Sequence, residues 1–121
     1  MRFRAEQHLR RPAEIRTVRE TGRRLDGRAF VVWWKGRAAG TSPARVCVIA
    51  STAAVGDAVR RNRAKRRLRE VFRTEQAAVP AGCDLLLIAR AAAVDRPLPE
   101  LREAFRSAGA QIARATSAPP A

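Results

Sequence analysis

Acidic residues are scarce in this chain: 11 Asp+Glu stand against 25 Lys+Arg in 121 residues, giving a formal net charge of +14 and a pI near 11.8. Such an excess repels itself unless a polyanion neutralises it, and the usual polyanion of a cell is nucleic acid. Histidine is nearly absent. The single one, His8, lies in a basic stretch without a paired nucleophile or carboxylate and is expected at the surface. Hydrolysis of a phosphodiester by protein needs metal-binding carboxylates or a histidine base, and Asp26, Asp57, Glu70, Asp84 and Asp95 show no convincing pairing, so no protein active site is expected. No apolar run approaches the ~20 residues of a spanning helix. The start, MRFRAEQHLRRP, lacks the apolar core of a signal peptide, so a cytoplasmic location is expected. Two cysteines, Cys47 and Cys83, have no second Cys or His at zinc-ligand spacing and read as small buried side chains in a reducing compartment. Lysine is also rare, Lys35 and Lys65 being the only two. Arginine gives forked contacts to phosphate and stacks on bases, but an Ala- and Arg-rich composition is also what GC-rich coding produces. The positions of the arginines therefore carry more information than their number.

What is present is a dense basic segment with a helical stripe. From Arg60 to Arg73 the chain reads RRNRAKRRLREVFR, eight basic side chains against one acid, Glu70. At about 100° per residue, Ala64, Leu68, Val71 and Phe72 fall in one sector. Asn62, Arg66, Arg69 and Arg73 lie opposite, flanked by Arg63 and Lys65, and Arg61 projects from the first turn. A disordered arm needs no apolar stripe, so this is a helix docked on a core and presenting guanidinium groups at fixed geometry.

Around it, Pro12 and Gly22 bracket a short helix over 12–21. A short strand precedes two apolar, β-branched segments near Arg23–Leu25. Those segments, Arg28–Lys35 and Arg45–Ser51, are joined by turn-rich GRAAGTSPA and are expected to pair as a hairpin. Alternation places Val31, Trp33 and Lys35 on one face, and Phe30, Val32 and Trp34 on the other. Pro80 and Gly82 end the basic helix, and Cys83–Arg90 is an apolar run buried on both faces at its centre. A last helix from about Pro99 carries Leu101, Ala104, Phe105, Ala108 and Ile112 on one side. The end, ATSAPPA, has no reason to order. The expected architecture is a single α+β domain over 1–115 with a tail over 116–121, its helices covering a small sheet.

Residues Gly56 to Phe72, GDAVRRNRAKRRLREVF, resemble the signature of the bacterial ribonuclease P protein subunit, in which G-x-A-V-x-R-N-R-x-K-R opens the central helix. Weaker similarity extends to the helix ending at Gly22, to Arg45-Val46, to Asp84–Arg90 and to the last helix, covering roughly residues 8–115. The resemblance implies an αβββαβα sandwich, a four-stranded sheet with a left-handed βαβ crossover, related to a domain of ribosomal proteins. It also implies two RNA partners. The signature helix would contact a catalytic RNA through Arg61, Asn62, Arg63, Lys65, Arg66 and Arg69. A groove between sheet and first helix, with Ile15, Arg19, Trp33 and Arg90, would receive the single-stranded 5′ leader of precursor tRNA. The RNA and Mg²⁺ held mainly by it would hydrolyse the phosphodiester, with no metal bound tightly by the protein alone.

Departures concentrate in the leader groove. First helices of the family commonly carry two Phe residues spaced by four, where this chain has Ile15 and Arg19. Thr52-Ala53-Ala54 stands where a basic pair is usual, Cys47 replaces a usual Gly, and Ala91 follows Arg90 where a second basic residue is common. Two rival readings are a basic-region zipper, which needs leucine heptads where Pro80 and Gly82 stand, and a structural ribosomal or general RNA-binding protein, which shares the charge and fold class.

Overall fold

A computed structural model describes residues 7–36 and 43–117. Helix α1, Pro12–Thr21, begins with proline at its first position, where a missing N–H costs nothing. It stops at Gly22, whose N–H bonds the carbonyl of Val18 and where a Cβ would run into that same oxygen. Strands β1, Arg23–Asp26, and β2, Phe30–Gly36, follow as an antiparallel pair. Their turn places Arg28 at φ 68°, and the Asp26 carboxylate accepts the Arg28 N–H at 2.8 Å to support that bend.

Strand β3, Arg45–Ile49, does not pair with β2. The sheet order is β1-β2-β4-β3, with β4, Cys83–Ala89, antiparallel to β2 and parallel to β3. This corrects the expected hairpin, and the physical reason lies in β4 itself. Six of its seven residues are buried, only Ile88 being half-exposed, and a strand apolar on both faces belongs at the centre of a sheet. Residues 37–42 of the turn-rich connection lie outside the described residues.

Two short helices were not expected. Thr52–Val55 forms α2, capped by Ser51 Oγ, which accepts the Ala54 N–H at 3.1 Å. Ala92–Asp95 forms α4 and ends at extended Arg96, the residue before Pro97. Between them α3, Ala58–Glu75, starts at Asp57, whose carboxylate accepts the Arg60 N–H at 2.9 Å. The last helix, α5, spans Leu98–Ser117, so it carries two residues beyond the expected domain limit at 115. The remainder of the expected tail, 118–121, lies outside the described residues.

Helices α3 and α5 cover one face of the sheet. Ala64, Leu68, Val71 and Phe72, the predicted stripe, are all fully buried with Leu101, Phe105 and Ile112 against Phe30, Val32, Leu85 and Leu87. Phe72 and Phe105 meet edge to face, centroids 6.1 Å apart at 83°. Gly109 lets α5 approach the 3₁₀ turn Gln76–Ala78 so closely that a Cβ there would strike the Ala78 carbonyl oxygen.

Among the described residues, the other face is covered by α1 and residues 7–9. Leu9, Val18 and Leu86 are buried there, with Ile15, Trp33 and Cys47 partly exposed around them. An ion-pair cluster fixes α1 in place. Arg45 donates to both Asp84 carboxylate oxygens at 2.9 and 2.8 Å and to Glu14 of α1 at 2.7 Å. Asp84 above all, with Glu14 adding, holds the Arg45 guanidinium well above its ordinary pKa despite partial burial. The strand register thus leaves a sheet face partly open beside α1.

Candidate nucleic-acid interface

Helix α3 sorts its cations into groups of different fate. Arg60, Arg63 and Arg67 lie at three- and four-residue spacing on the side facing α4. Arg60 Nε donates to the Val55 carbonyl at 2.9 Å, Arg63 Nε to Val94 at 3.0 Å and Arg67 Nε to Ala93 at 2.9 Å. A second Arg67 nitrogen donates to the Arg96 carbonyl. These guanidinium groups satisfy carbonyls at the ends of α2 and α4 that the short helices leave without partners. Arg63, expected at the RNA surface, remains exposed but has this bond as well.

Asn62, Lys65, Arg66 and Arg69 make no side-chain hydrogen bond or ion pair to another described residue. Arg61 is half-buried, and its Nε has no partner among the described residues. Lys65 and Arg69 approach the β3 edge, where their charges act on the Cys47 thiol. Burial still dominates and pushes that thiol up, so it stays protonated near neutrality. His8 is half-buried rather than at the surface, bridged to Val46 of β3. Burial first, then Arg10 and Arg69, push its pKa down and keep the imidazole neutral.

On the open face, three of the four expected groove residues come together. Ile15 and Trp33 share one apolar cluster, and the Arg19 guanidinium lies 5.4 Å from the Trp33 ring centroid. The charge that replaces an aromatic therefore covers the remaining aromatic in a cation–π contact. Trp33 is half-exposed, whereas Phe30 and Trp34 are buried on the opposite face as alternation predicts.

Arg90 sits apart from this group. It extends from the end of β4 and grips Asp26 with two bonds of 2.6 and 2.9 Å. The Arg90 bond, then the Arg28 N–H, lower the Asp26 carboxyl from 3.8 to about 2. A depressed folded-state pKa stabilises the fold above the unfolded value, and that contribution is lost as pH falls toward 2. Carboxyl-carbon NMR is expected to place the Asp26 midpoint near 2, and Arg90→Gln to return it toward 3.8.

Sequence reasoning missed the carbonyl-binding role of Arg60 and Arg67, and the Arg45–Asp84–Glu14 cluster. Density of charge on α3 concealed the first. For the second, an acid opening the apolar run at Asp84 was the available signal.

A mixed four-stranded sheet with α3 and α5 packed on one face, its other face partly covered by α1 and rimmed by guanidinium groups, defines a small α+β domain suited to a polyanion. A family model described as Ribonuclease P matches residues 3–113. The chain belongs to the ribonuclease P protein family. It is 46% identical over 99 residues to the ribonuclease P protein component of Symbiobacterium thermophilum, covering 78% of this chain and 84% of the relative. With that of Kocuria rhizophila it shares 38% identity over 106 residues, covering 88% and 91%. Among solved structures, the RNase P protein from Thermotoga maritima superposes with a TM-score of 0.74 at 26% identity, covering 87% of this chain and 96% of that one. The Staphylococcus aureus RNase P protein gives 0.70 at 25%, covering 89% and 95%.

Proposed function

We propose that this chain is the protein subunit of ribonuclease P, binding the catalytic RNA along α3 and the 5′ leader of precursor tRNA across the open sheet face. In that role it promotes endonucleolytic removal of the leader to generate the mature tRNA 5′ end. The observation that carries this reading is the division of α3. Arg60, Arg63 and Arg67 hold the fold, while Asn62, Lys65, Arg66 and Arg69 form no such bonds and present fixed charge on a docked helix. Arg61 belongs with the latter group by its position on the helix.

Four of the acids are engaged by arginines rather than by one another. Asp26 is held by Arg90, Asp84 by Arg45, Glu70 by Arg73 and Glu75 by Arg106. Mg²⁺ in this reading belongs mainly to the RNA. The protein contributes affinity by bridging catalyst and substrate, which reduces the Mg²⁺ needed to screen phosphate repulsion. Across the groove, Trp33 and the Arg19 guanidinium offer stacking surfaces for leader bases, each stacked base contributing ~1–3 kcal/mol.

Combining the protein with a bacterial ribonuclease P RNA and a precursor tRNA at low Mg²⁺ is expected to raise the rate of 5′ cleavage above that of RNA alone. No stimulation would sink the assignment and favour a general RNA-binding protein. Shortening the leader is expected to weaken binding, and indifference to leader length would remove the groove while leaving the subunit role intact.

A further inference from the structure

A second cationic cleft lies at the β1 edge, across the sheet from β3. Arg23, Arg24, Leu25 and Trp34 line one side, and Gln111 and Arg114 of α5 the other, around a volume of about 550 Å³. Three strand spacings of ~4.8 Å, about 14 Å in all, separate β1 from β3 within the sheet. One of its lining residues carries an unpaired donor. Trp34 is 7% exposed, yet its indole Nε1 is buried with no hydrogen-bond partner among the described residues. A buried donor without an acceptor is costly, and native folds retain few of them. The Arg23 guanidinium lies 5.9 Å from the Trp34 ring centroid and forms a charged cover over it.

We propose that this cleft is a second phosphate-binding site for RNA, with Arg23, Arg24 and Arg114 neutralising the backbone and the Trp34 indole N–H donating to a phosphate oxygen. Arg23 moves from the ring to the phosphate as the strand enters, which uncovers the N–H. The C-terminal end of α5 contributes carbonyl dipoles of the wrong sign for an anion, equivalent to about half a negative charge. The Arg23 and Arg114 guanidinium groups, with Arg24 at the rim, outweigh it, and among the described residues no acid lines the cleft. Register also provides a route. Arg24 pairs with Trp33 and Arg23 with Trp34, so adjacent arginines on β1 face opposite sides of the sheet. A strand lying beside Trp33 on the open face can pass over the β1 edge from Arg24 to Arg23 and continue into the cleft. The leader of a precursor tRNA or a segment of the catalytic RNA presents the same phosphate chemistry.

The test combines Arg23→Gln with Arg114→Gln and measures affinity against salt for two RNAs separately, the catalytic RNA and a precursor tRNA with a long leader. Two lost phosphate contacts are expected to flatten the salt slope by about 1.4 on a single strand and about 1.8 on a duplex, and to weaken binding roughly 25- to 60-fold at 0.1 M salt. A loss with catalytic RNA alone assigns the cleft to that RNA, and a loss confined to the long-leader substrate assigns it to the leader. Either outcome supports the site. In the unaltered protein, the Trp34 indole N–H resonance is expected to shift when a short single-stranded RNA is added. Unchanged slopes with both RNAs overturn the proposal, as does an indole resonance that stays in place to saturation. Arg69→Gln serves as the separate control on α3: if it weakens RNA binding while the cleft variant does not, the proposed function stands and the cleft alone falls.

Discussion

Replacing Arg61, Lys65 and Arg69 together by glutamine is expected to lower affinity for ribonuclease P RNA about 10²- to 10³-fold at 0.1 M salt. The magnitude follows from counterion release, since each phosphate contact contributes a slope of about 0.9 in log K against log salt on a duplex. Three lost contacts therefore remove about 2.7 from the slope, and about 2.7 log units of affinity at 0.1 M. Filter binding over a salt series measures both quantities at once. The fold should tolerate the change, because Lys65 and Arg69 hold no described residue by hydrogen bond and Arg61 Nε has no partner to lose. Arg67→Ala gives the opposite pattern. It removes donors to the Ala93 and Arg96 carbonyls, so thermal stability falls while the salt slope is nearly retained. Equal slopes for the triple variant and the unaltered protein would show that this side of α3 does not meet RNA.

Phe72→Ala is expected to lower stability by about 3–5 kcal/mol, the usual range for an aromatic removed from a packed core. Phe72 is fully buried, and its edge-to-face partner Phe105 comes from α5. The cavity would therefore loosen α3 and α5 together against the sheet. Domains are stable by only about 5–15 kcal/mol. At roughly 4 °C per kcal/mol for a chain of this size, the melting temperature should fall by about 10–20 °C. Thermal unfolding followed by circular dichroism checks it. A fall of only a few degrees would mean that the α3–α5 contact contributes much less than its burial implies.

Both variants act on the segment most legible in the sequence. The α3 stripe was readable because a 3.6-residue period and a run of cations indicate the same helix. Strand order was less legible for a physical reason. Turn chemistry between β2 and β3 favours a hairpin locally, whereas the two-sided apolar character of β4 requires a central position, and that requirement acts over long sequence separation. The signal for the observed order lies in Cys83–Ala89, far in sequence from the turn it overrides. Four-residue helices such as α2 and α4 bury too little to show a period.

The candidate site divided in the same way. Charge on α3 was visible, but its partition was not, because the partners of Arg63 and Arg67 are backbone carbonyls, which carry no sequence signature. Ile15, Arg19 and Trp33 were brought together by the expected packing of α1 on β2. The grip of Arg90 on Asp26 depends on where β1 and β4 end, which only the assembled sheet determines.

The central place of β4 also bears on how the chain is made. Phe30 pairs with Ala89 and Gly36 with Cys83, while Arg45 to Ile49 pair with the same strand from its other side. During N-to-C synthesis β1 and β2 can pair early, but β3 has no sheet neighbour and β2 lacks its second one until β4 has left the ribosome, by which time the whole of α3 is already exposed as nascent chain. Completion of the sheet is thus a late event that closes two of its three pairings around one strand, as expected for a topology dominated by non-local contacts. A chain halted before Cys83 would display its full basic helix with only the β1–β2 pair formed and no central strand to dock it.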